Sequence, residues 1–321
     1  MALPELLRGR LRLPLIGAPM FIVSQPPLVI AQCTAGVVGS FPALNARPQA
    51  QLDDWIIQIK DGLTQYSEEH PNAPVAPFAV NQIVHKSNSR LYADMETCVK
   101  HEVPIVITSL RPPEDVVKAV HAYGGLVFHD VISLRHARKA MQQGVDGIIA
   151  VCAGAGGHAG PLSPFALIKD IRREFDGAII LSGCMSTGGD ILAAQAMGAD
   201  LAYMGTRFIA TEEAHAVPDY KQMIVDSSTA DIVYSSLFSG VHGNYLKESV
   251  RNAGYDPDQL PEGDQATMDF GKRDENEAKA WRDIWSAGQG VAGVDAVLPA
   301  AELILRMQKE YDEARSRLAA G

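Results

Sequence analysis

The chain is poor in cysteine, in aromatic residues and in positive charge, and it has no long apolar run. Its four cysteines, Cys33, Cys98, Cys152 and Cys184, lie far apart and form no C-x-x-C pair. Neither a disulfide framework nor a structural zinc site is therefore expected. Lysine and arginine number 28 against 38 aspartates and glutamates, a formal net charge of −10. That sign argues against nucleic acid and anionic membrane surfaces as partners, while leaving room for a local basic pocket. No stretch approaches the roughly 18 apolar residues of a membrane span. The opening Met-Ala-Leu-Pro-Glu-Leu-Leu-Arg-Gly-Arg lacks a secretory apolar core. A cytoplasmic location is the default expectation. No strand end carries a D-x-D or H-x-H pair, so no metal is expected. No lysine sits in a strand end, since Lys86 lies past its strand, and this argues against Schiff-base chemistry.

What the chain does have is a repeating pattern. Short apolar or β-branched runs occupy 15–20, 37–41, 78–83, 104–110, 126–131, 147–152, 178–182 and 201–205. Their near-continuous apolar character is that of parallel strands buried on both faces. Helix-like segments alternate with them at 26–33, 49–63, 89–101, 113–121, 133–143, 161–175 and 187–197. Ser133 is a start signal, as is Thr187 with Asp190 three residues on. Gly124, Gly144 and Gly198 are stop signals.

Eight strand–helix units in 210 residues predict an α/β protein, a (β/α)8 TIM barrel. A doubly wound sheet is the rival, and it would need a switch point. After residue 210 the pattern changes. Residues 211–290 are more polar and are interrupted by Pro257, Pro261, Gly263 and Gly271. They read as a smaller, mainly helical cap or substrate domain. Residues 1–210 and 291–321 then form the barrel with its C-terminal helix, which the amphipathic spacing places at 296–320.

The most informative stretch is 147–160. An apolar run ends in Gly154-Ala-Gly-Gly-His-Ala-Gly160, four glycines in seven residues around one imidazole. Glycine lets backbone approach a ligand, and imidazole moves protons near neutral pH. The spacing Gly154-x-Gly156-x-x-x-Gly160 has one residue too many for a dinucleotide fingerprint and follows a sixth strand rather than a first. In barrels the active site lies at the C-terminal strand ends, with phosphates often held after strands 7 and 8. Here those ends read Ser182-Gly183-Cys184, followed by Thr187 and Gly188, and Tyr203-Met204-Gly205-Thr206. Glycine N–H groups, a helix N-terminus and the threonine hydroxyl all suit a phosphate. His158 is the candidate acid–base. Asn81, ending the third strand, can both donate to and accept from a heteroaromatic ring edge. His129 and Asp130 end the fifth strand, with structural and chemical roles equally open. Cys152 and Cys184 read mainly as small buried hydrophobes. His242, in Gly240-Val-His-Gly243, could reach the mouth from the cap.

Taken together these residues resemble the nitronate monooxygenase family, formerly the 2-nitropropane dioxygenases. The resemblance runs along nearly the whole chain, through Pro14-Leu-Ile-Gly-Ala-Pro-Met20, Pro77-Phe-Ala-Val-Asn81, Ala155-Gly-Gly-His-Ala-Gly160, Leu181-Ser-Gly-Cys184 with Gly188, and Tyr203-Met-Gly-Thr-Arg-Phe208. It implies an FMN-bearing barrel that oxidises alkyl nitronates with O2 to carbonyl compounds and nitrite. Pro19 and Met20 would touch the flavin ring and Asn81 would hold its edge. Gly156, Gly160, Gly183, Cys184 and the turn Tyr203, Met204, Gly205 and Thr206 would surround the phosphate and ribityl chain. His158 would be the catalytic histidine. Three positions depart from the family pattern. Val151 and Tyr203 stand where glutamine is usual, and Ser-Gly-Cys replaces Ala-Gly-Gly. The segment Asp283-Ile-Trp-Ser-Ala-Gly-Gln289 is similar to one in flavin-dependent NADH:quinone reductases, which makes NAD(P)H:quinone reduction the alternative activity. A flavin-free phosphate-binding isomerase or lyase and a non-catalytic sensor complete the readings. Partners are a small-molecule substrate and O2, with a homodimer the candidate assembly.

Overall fold

The structure, a computed structural model, describes residues 3–111, 113–263 and 282–320. Gly271 and part of the 211–290 segment lie outside them.

Eight parallel strands close into a barrel. They are β1 (Leu15–Gly17), β2 (Gly39–Pro42), β3 (Phe78–Val84), β4 (Ile105–Leu110), β5 (Leu126–Val131), β6 (Gly147–Val151), β8 (Ala178–Ser182) and β9 (Leu201–Met204). The short β7 (Gly157–His158) lies outside the barrel. The neighbour order is β1-β9-β8-β6-β5-β4-β3-β2. The ring closes where Ile16 bridges Val38, with Gly17 N–H donating to Val38 O at 2.8 Å. Helices α1 (Pro26–Thr34), α2 (Gln51–Glu69), α3 (Leu91–Lys100), α4 (Glu114–His121), α5 (Leu134–Gln142), α6 (Pro164–Arg172) and α7 (Gly188–Met197) follow successive strands. The TIM barrel is thus the observed fold.

Each strand is buried on both faces because its two sets of side chains serve two cores. Ile16, Val38, Ala79, Ile105, Ile107, Phe128, Ile149, Ile180 and Leu201 pack together inside the barrel. Leu15, Val80, Val106, Val127, Ile148, Ile179 and Ala202 meet the helices outside. That double burial produces the continuous apolar runs in the sequence. The caps at α5 and α7 form as the sequence indicates. Ser133 accepts from His136 N–H, and Thr187 with Asp190 closes a capping box.

Past the barrel come α8 (Thr206–Ile209), α9 (Pro218–Asp226), β10 (Ile232–Ser235), β11 (Gly243–Leu246), α10 (Lys247–Asn252) and α11 (Ala300–Ala320). The helices expected here are accompanied by a small antiparallel sheet, β10-β11-β7, that the sequence reading did not contain. Helix α11 begins four residues later than the expected 296. Pro299 favours extended backbone before it, and Leu298 pairs with Thr211 instead. The Glu213 carboxylate then accepts from Ala300 N–H at 2.9 Å. Among the described residues no helix is long and apolar enough to cross a membrane.

Candidate active site

A cavity of about 540 Å3 opens at the C-terminal ends of the barrel strands. Its floor is the topmost inward-facing layer of the barrel. Asn81 follows Ala79, Asp130 follows Phe128, and Tyr203 follows Leu201, each two residues along its strand and so on the same face. Ser109, Val151 and Ser182 complete the layer.

The structure gathers most of the expected site residues around this cavity. Pro19, Met20, Asn81, Gly156, His158, Gly183, Cys184, Tyr203, Gly205 and Thr206 all line it. Met204 and Gly160 do not. Met204 points outward from β9 into the helix layer and is 1% exposed. Gly160 lies against Val151 O and Ile132 Cβ, where an added Cβ would come within 2.9 Å of each, so it serves the packing of the turn.

Glycines let two turns touch. A Cβ on Gly156 would lie 2.9 Å from Gly288 N and 3.1 Å from Thr206 Oγ1. Gly154 has φ +79°, and a Cβ there would collide with Cys184 Sγ. The segment 288–290 therefore closes on the glycine turn, with Gly288 N–H donating to Thr206 Oγ1 at 2.8 Å. The hydroxyl of Thr206 keeps its own proton to donate.

The helix N-terminus after β8 does not serve the cavity, contrary to the sequence reading of Thr187 and Gly188. Asp190 accepts from Ser186 N–H and Thr187 N–H at 2.9 Å each, and Glu310 accepts from Gly188 N–H at 2.8 Å. The donors are satisfied by the protein's own carboxylates. Gly188 exists for helix packing, since a Cβ there would collide with Met307 O of α11.

His158 is seated by the small sheet. Strand β7 pairs with β11 through Gly243↔His158 and Asn244↔Gly157. Gly157 N–H donates to Ser286 Oγ at 2.7 Å, and Asn244 Nδ2 donates to Ala155 O at 2.7 Å. The ring Nε2 lies 2.8 Å from Ser239 Oγ, which is 3.0 Å from Val241 O. A carbonyl only accepts, so Ser239 gives its one proton to Val241 and Nε2–H is the donor to Ser239. The lone pair then lies on Nδ1. Burial pushes the imidazole pKa down to about 4, so it is neutral at pH 7.

Register divides the fifth-strand pair whose roles the sequence left open. His129 faces outward, 2% exposed, with Nδ1 2.8 Å from Thr108 Oγ1, and burial lowers it to about 4. It is a core histidine. Asp130 faces the cavity floor. Its Oδ2 accepts from Ser109 Oγ at 2.6 Å, and Ser109 accepts from Asn81 Nδ2 at 3.0 Å. The second Nδ2 proton of Asn81 goes to Ile107 O at 3.3 Å. Asn81 therefore offers the cavity an acceptor and no donor, narrower than the sequence allowed. His242 does not line the cavity. Its ring packs tilted against Tyr234, centroids 4.9 Å apart, and its Nε2 lies 3.6 Å from Glu262. Ser239 and Tyr220 also shape the site and carry no motif that singles them out, whereas Ser286 belongs to the 283–289 segment singled out in the sequence.

A protein-family model described as nitronate monooxygenase matches residues 9–310. The chain belongs to the nitronate monooxygenase family. It is an oxidoreductase of a flavin-enzyme family. A nitronate monooxygenase from Paraburkholderia phytofirmans is 26% identical over 354 aligned residues, spanning 95% of this chain and 94% of that protein. A solved nitroalkane oxidase from Streptomyces ansochromogenes superposes with a TM-score of 0.81 at 22% identity, over 98% of this chain and 100% of that one. FabK from Thermotoga maritima gives a TM-score of 0.77 at 23% identity, over 98% and 97% of the two chains. At such identities the two structures share the fold with this nitronate monooxygenase relative and carry no more than that. Among its described residues no group of three or more His, Cys, Asp or Glu could hold a metal ion.

Proposed function

We propose that this enzyme binds FMN and oxidises alkyl nitronates with molecular oxygen to a carbonyl compound and nitrite. The observation that carries the proposal is the seat of His158, a neutral imidazole held by Ser239 on the wall of a glycine-lined cavity at the barrel mouth. The residues fit a flavin. Backbone around Gly156 and Gly183 can approach a ribityl phosphate, with the Thr206 hydroxyl as donor. Asn81 Oδ1 and the Asp130 carboxyl present polar atoms to a ring edge, while Val151 and Met20 offer apolar contact. Bound FMN supplies the electron-accepting ring that passes electrons from substrate to oxygen.

The protein's own residues do the rest. Arg111 stands at the β3–β5 side of the mouth and favours an anionic substrate in a chain of net negative charge. With a neutral nitroalkane, the His158 imidazole takes the α-proton, and Ser239 orients the ring through Nε2. Negative charge developing beside the imidazole raises its basicity, which compensates for the lowering by burial. The described residues of 211–290 act as the cap, with Tyr220 stacked on Trp285 at 4.9 Å to keep water from the reacting atoms.

Anaerobic stopped-flow absorbance tests this reading. Mixing with ethyl nitronate is expected to bleach the oxidised flavin, and mixing with NADH or NADPH to leave it unchanged. Fast bleaching by a nicotinamide with silence toward nitronate would replace the proposal with NAD(P)H:quinone reduction.

A further inference from the structure

Asp130 is a carboxyl that takes no part in the proton transfer above, and its protonation state is not yet assigned. It sits in the floor layer at the end of β5, pointing into the barrel. Oδ2 is bonded to Ser109, whereas Oδ1 is buried with no hydrogen-bond partner among the described residues. A buried carboxyl oxygen without a partner is costly, and native structures supply one. The same serine links it to Asn81, so the three side chains form one polar arc across β3, β4 and β5. The arc's two outward-facing atoms differ. Asn81 Oδ1 can only accept, because both amide protons are held by Ile107 and Ser109. On Asp130, Oδ2 already accepts, so a proton on the carboxyl belongs on Oδ1.

We propose that Asp130 recognises the ring of the bound cofactor as a protonated carboxyl. Together with Asn81 it reads a cyclic imide edge, Asn81 Oδ1 accepting from the imide N–H and Asp130 Oδ1–H donating to the adjacent carbonyl. The flavin ring carries such an edge, and the inference rests on the flavin reading above. Asp130 is here a recognition residue, and binding takes up one proton when the carboxyl is ionised beforehand. Burial raises Asp130 to about 6 against the lowering effect of Ser109, which puts that uptake in an accessible range.

Other titratable groups share the cavity. Tyr203 faces Asp130 from β9 with its phenol pushed well above its usual range by burial, and Cys184 after β8 is likewise pushed up. His158 is held down by burial, as is His136 on α5, with Arg135 and Lys139 contributing to the latter. His85 and Arg111 stand at the mouth. The FMN phosphate itself titrates near pH 6. Comparison with Asp130→Asn, which keeps a donor and an acceptor but cannot ionise, separates Asp130 from all of these.

The test is equilibrium dialysis of the holoprotein from pH 5 to 8, with released FMN read by fluorescence. Relative to Asp130→Asn, the wild-type Kd is expected to be level below about pH 6 and to rise toward about tenfold per pH unit above it, the slope of one coupled proton. Ser109→Ala removes the bond that favours the ionised form, and its bend is expected at higher pH than wild type. Should Asp130→Asn not fold, that shift alone decides the matter. Parallel profiles for wild type and Asp130→Asn, or a Ser109→Ala bend moved to lower pH, would overturn the inference while leaving the flavin reading intact. Failure of the wild type to retain FMN at any pH would overturn the flavin reading and this inference with it.

Discussion

Deleting one hydroxyl, that of Ser239, should slow proton abstraction although Ser239 does not line the cavity. Its Oγ lies 2.8 Å from His158 Nε2 and 3.0 Å from Val241 O. In Ser239→Ala the imidazole N–H loses this acceptor in a largely desolvated position. Tyr245 OH lies 3.4 Å from the missing oxygen, on a side chain that is 0% exposed. A lost bond of this kind costs about 1–2 kcal/mol, and the tautomer that puts the lone pair on Nδ1 is no longer enforced. Carried into the transition state, that is about a 5- to 30-fold loss in kcat/KM for a nitroalkane. A preformed nitronate has already lost its α-proton and should react within about twofold of wild type. Ser239→Thr keeps the hydroxyl and should restore the nitroalkane rate. Nitrite release with nitroethane and with ethyl nitronate supplies both numbers. An equal loss on the two substrates would reduce Ser239 to a prop for β7, and an unchanged nitroalkane rate would refute the assigned hydrogen-bond direction.

Three further outcomes follow from the same geometry. His158→Asn should depress nitroalkane turnover by about 10²- to 10⁴-fold and nitronate turnover far less, and equal effects in the same nitrite assay would remove it from proton transfer. Gly156→Ala should cost flavin retention, because its Cβ would press on Gly288 N and Thr206 Oγ1, 2.9 and 3.1 Å away; the flavin-to-protein absorbance ratio of the purified variant reports this, and a normal ratio would contradict it. The third outcome concerns stability against pH. His129 and His158, near 4 when folded, are protonated on unfolding at any pH between 4 and 6.5, so each makes stability fall as pH drops through that window. Asp130, near 6 when folded, binds its proton more tightly in the folded state and acts in the opposite direction between about 4 and 6. The melting temperature should therefore decline from pH 6.5 to pH 4, and more steeply in Asp130→Asn; a shallower decline in the variant would show the sign for Asp130 to be wrong.

Local sequence was enough for the barrel because each unit carries its own signals. Runs 126–131 and 178–182 coincide with β5 and β8, since double burial demands continuous apolar residues and glycine follows or precedes each. The glycine turn at 154–160 and the Tyr203–Thr206 turn were legible for a similar reason, as both lie at strand ends where a barrel builds its site. Other features depend on partners remote in sequence. Strand β7 has two residues and exists only because β11, some 85 positions later, pairs with it. The donors at the start of α7 are available by local pattern alone, but Glu310, 122 residues on, holds Gly188 N–H. His129 and Asp130 cannot be told apart by pattern, because a strand buried on both faces has no polar side to fix its register. Packing of Phe128 inside the barrel decides that register. It sends the imidazole into the core and the carboxyl to the floor of the cavity. Sequence by itself thus determined the fold, the family and the place of His158 on the rim, because these rest on local burial and turn chemistry. Which polar atoms face the ligand, and in what protonation state, was decided only by long-range contacts that set orientation and desolvation.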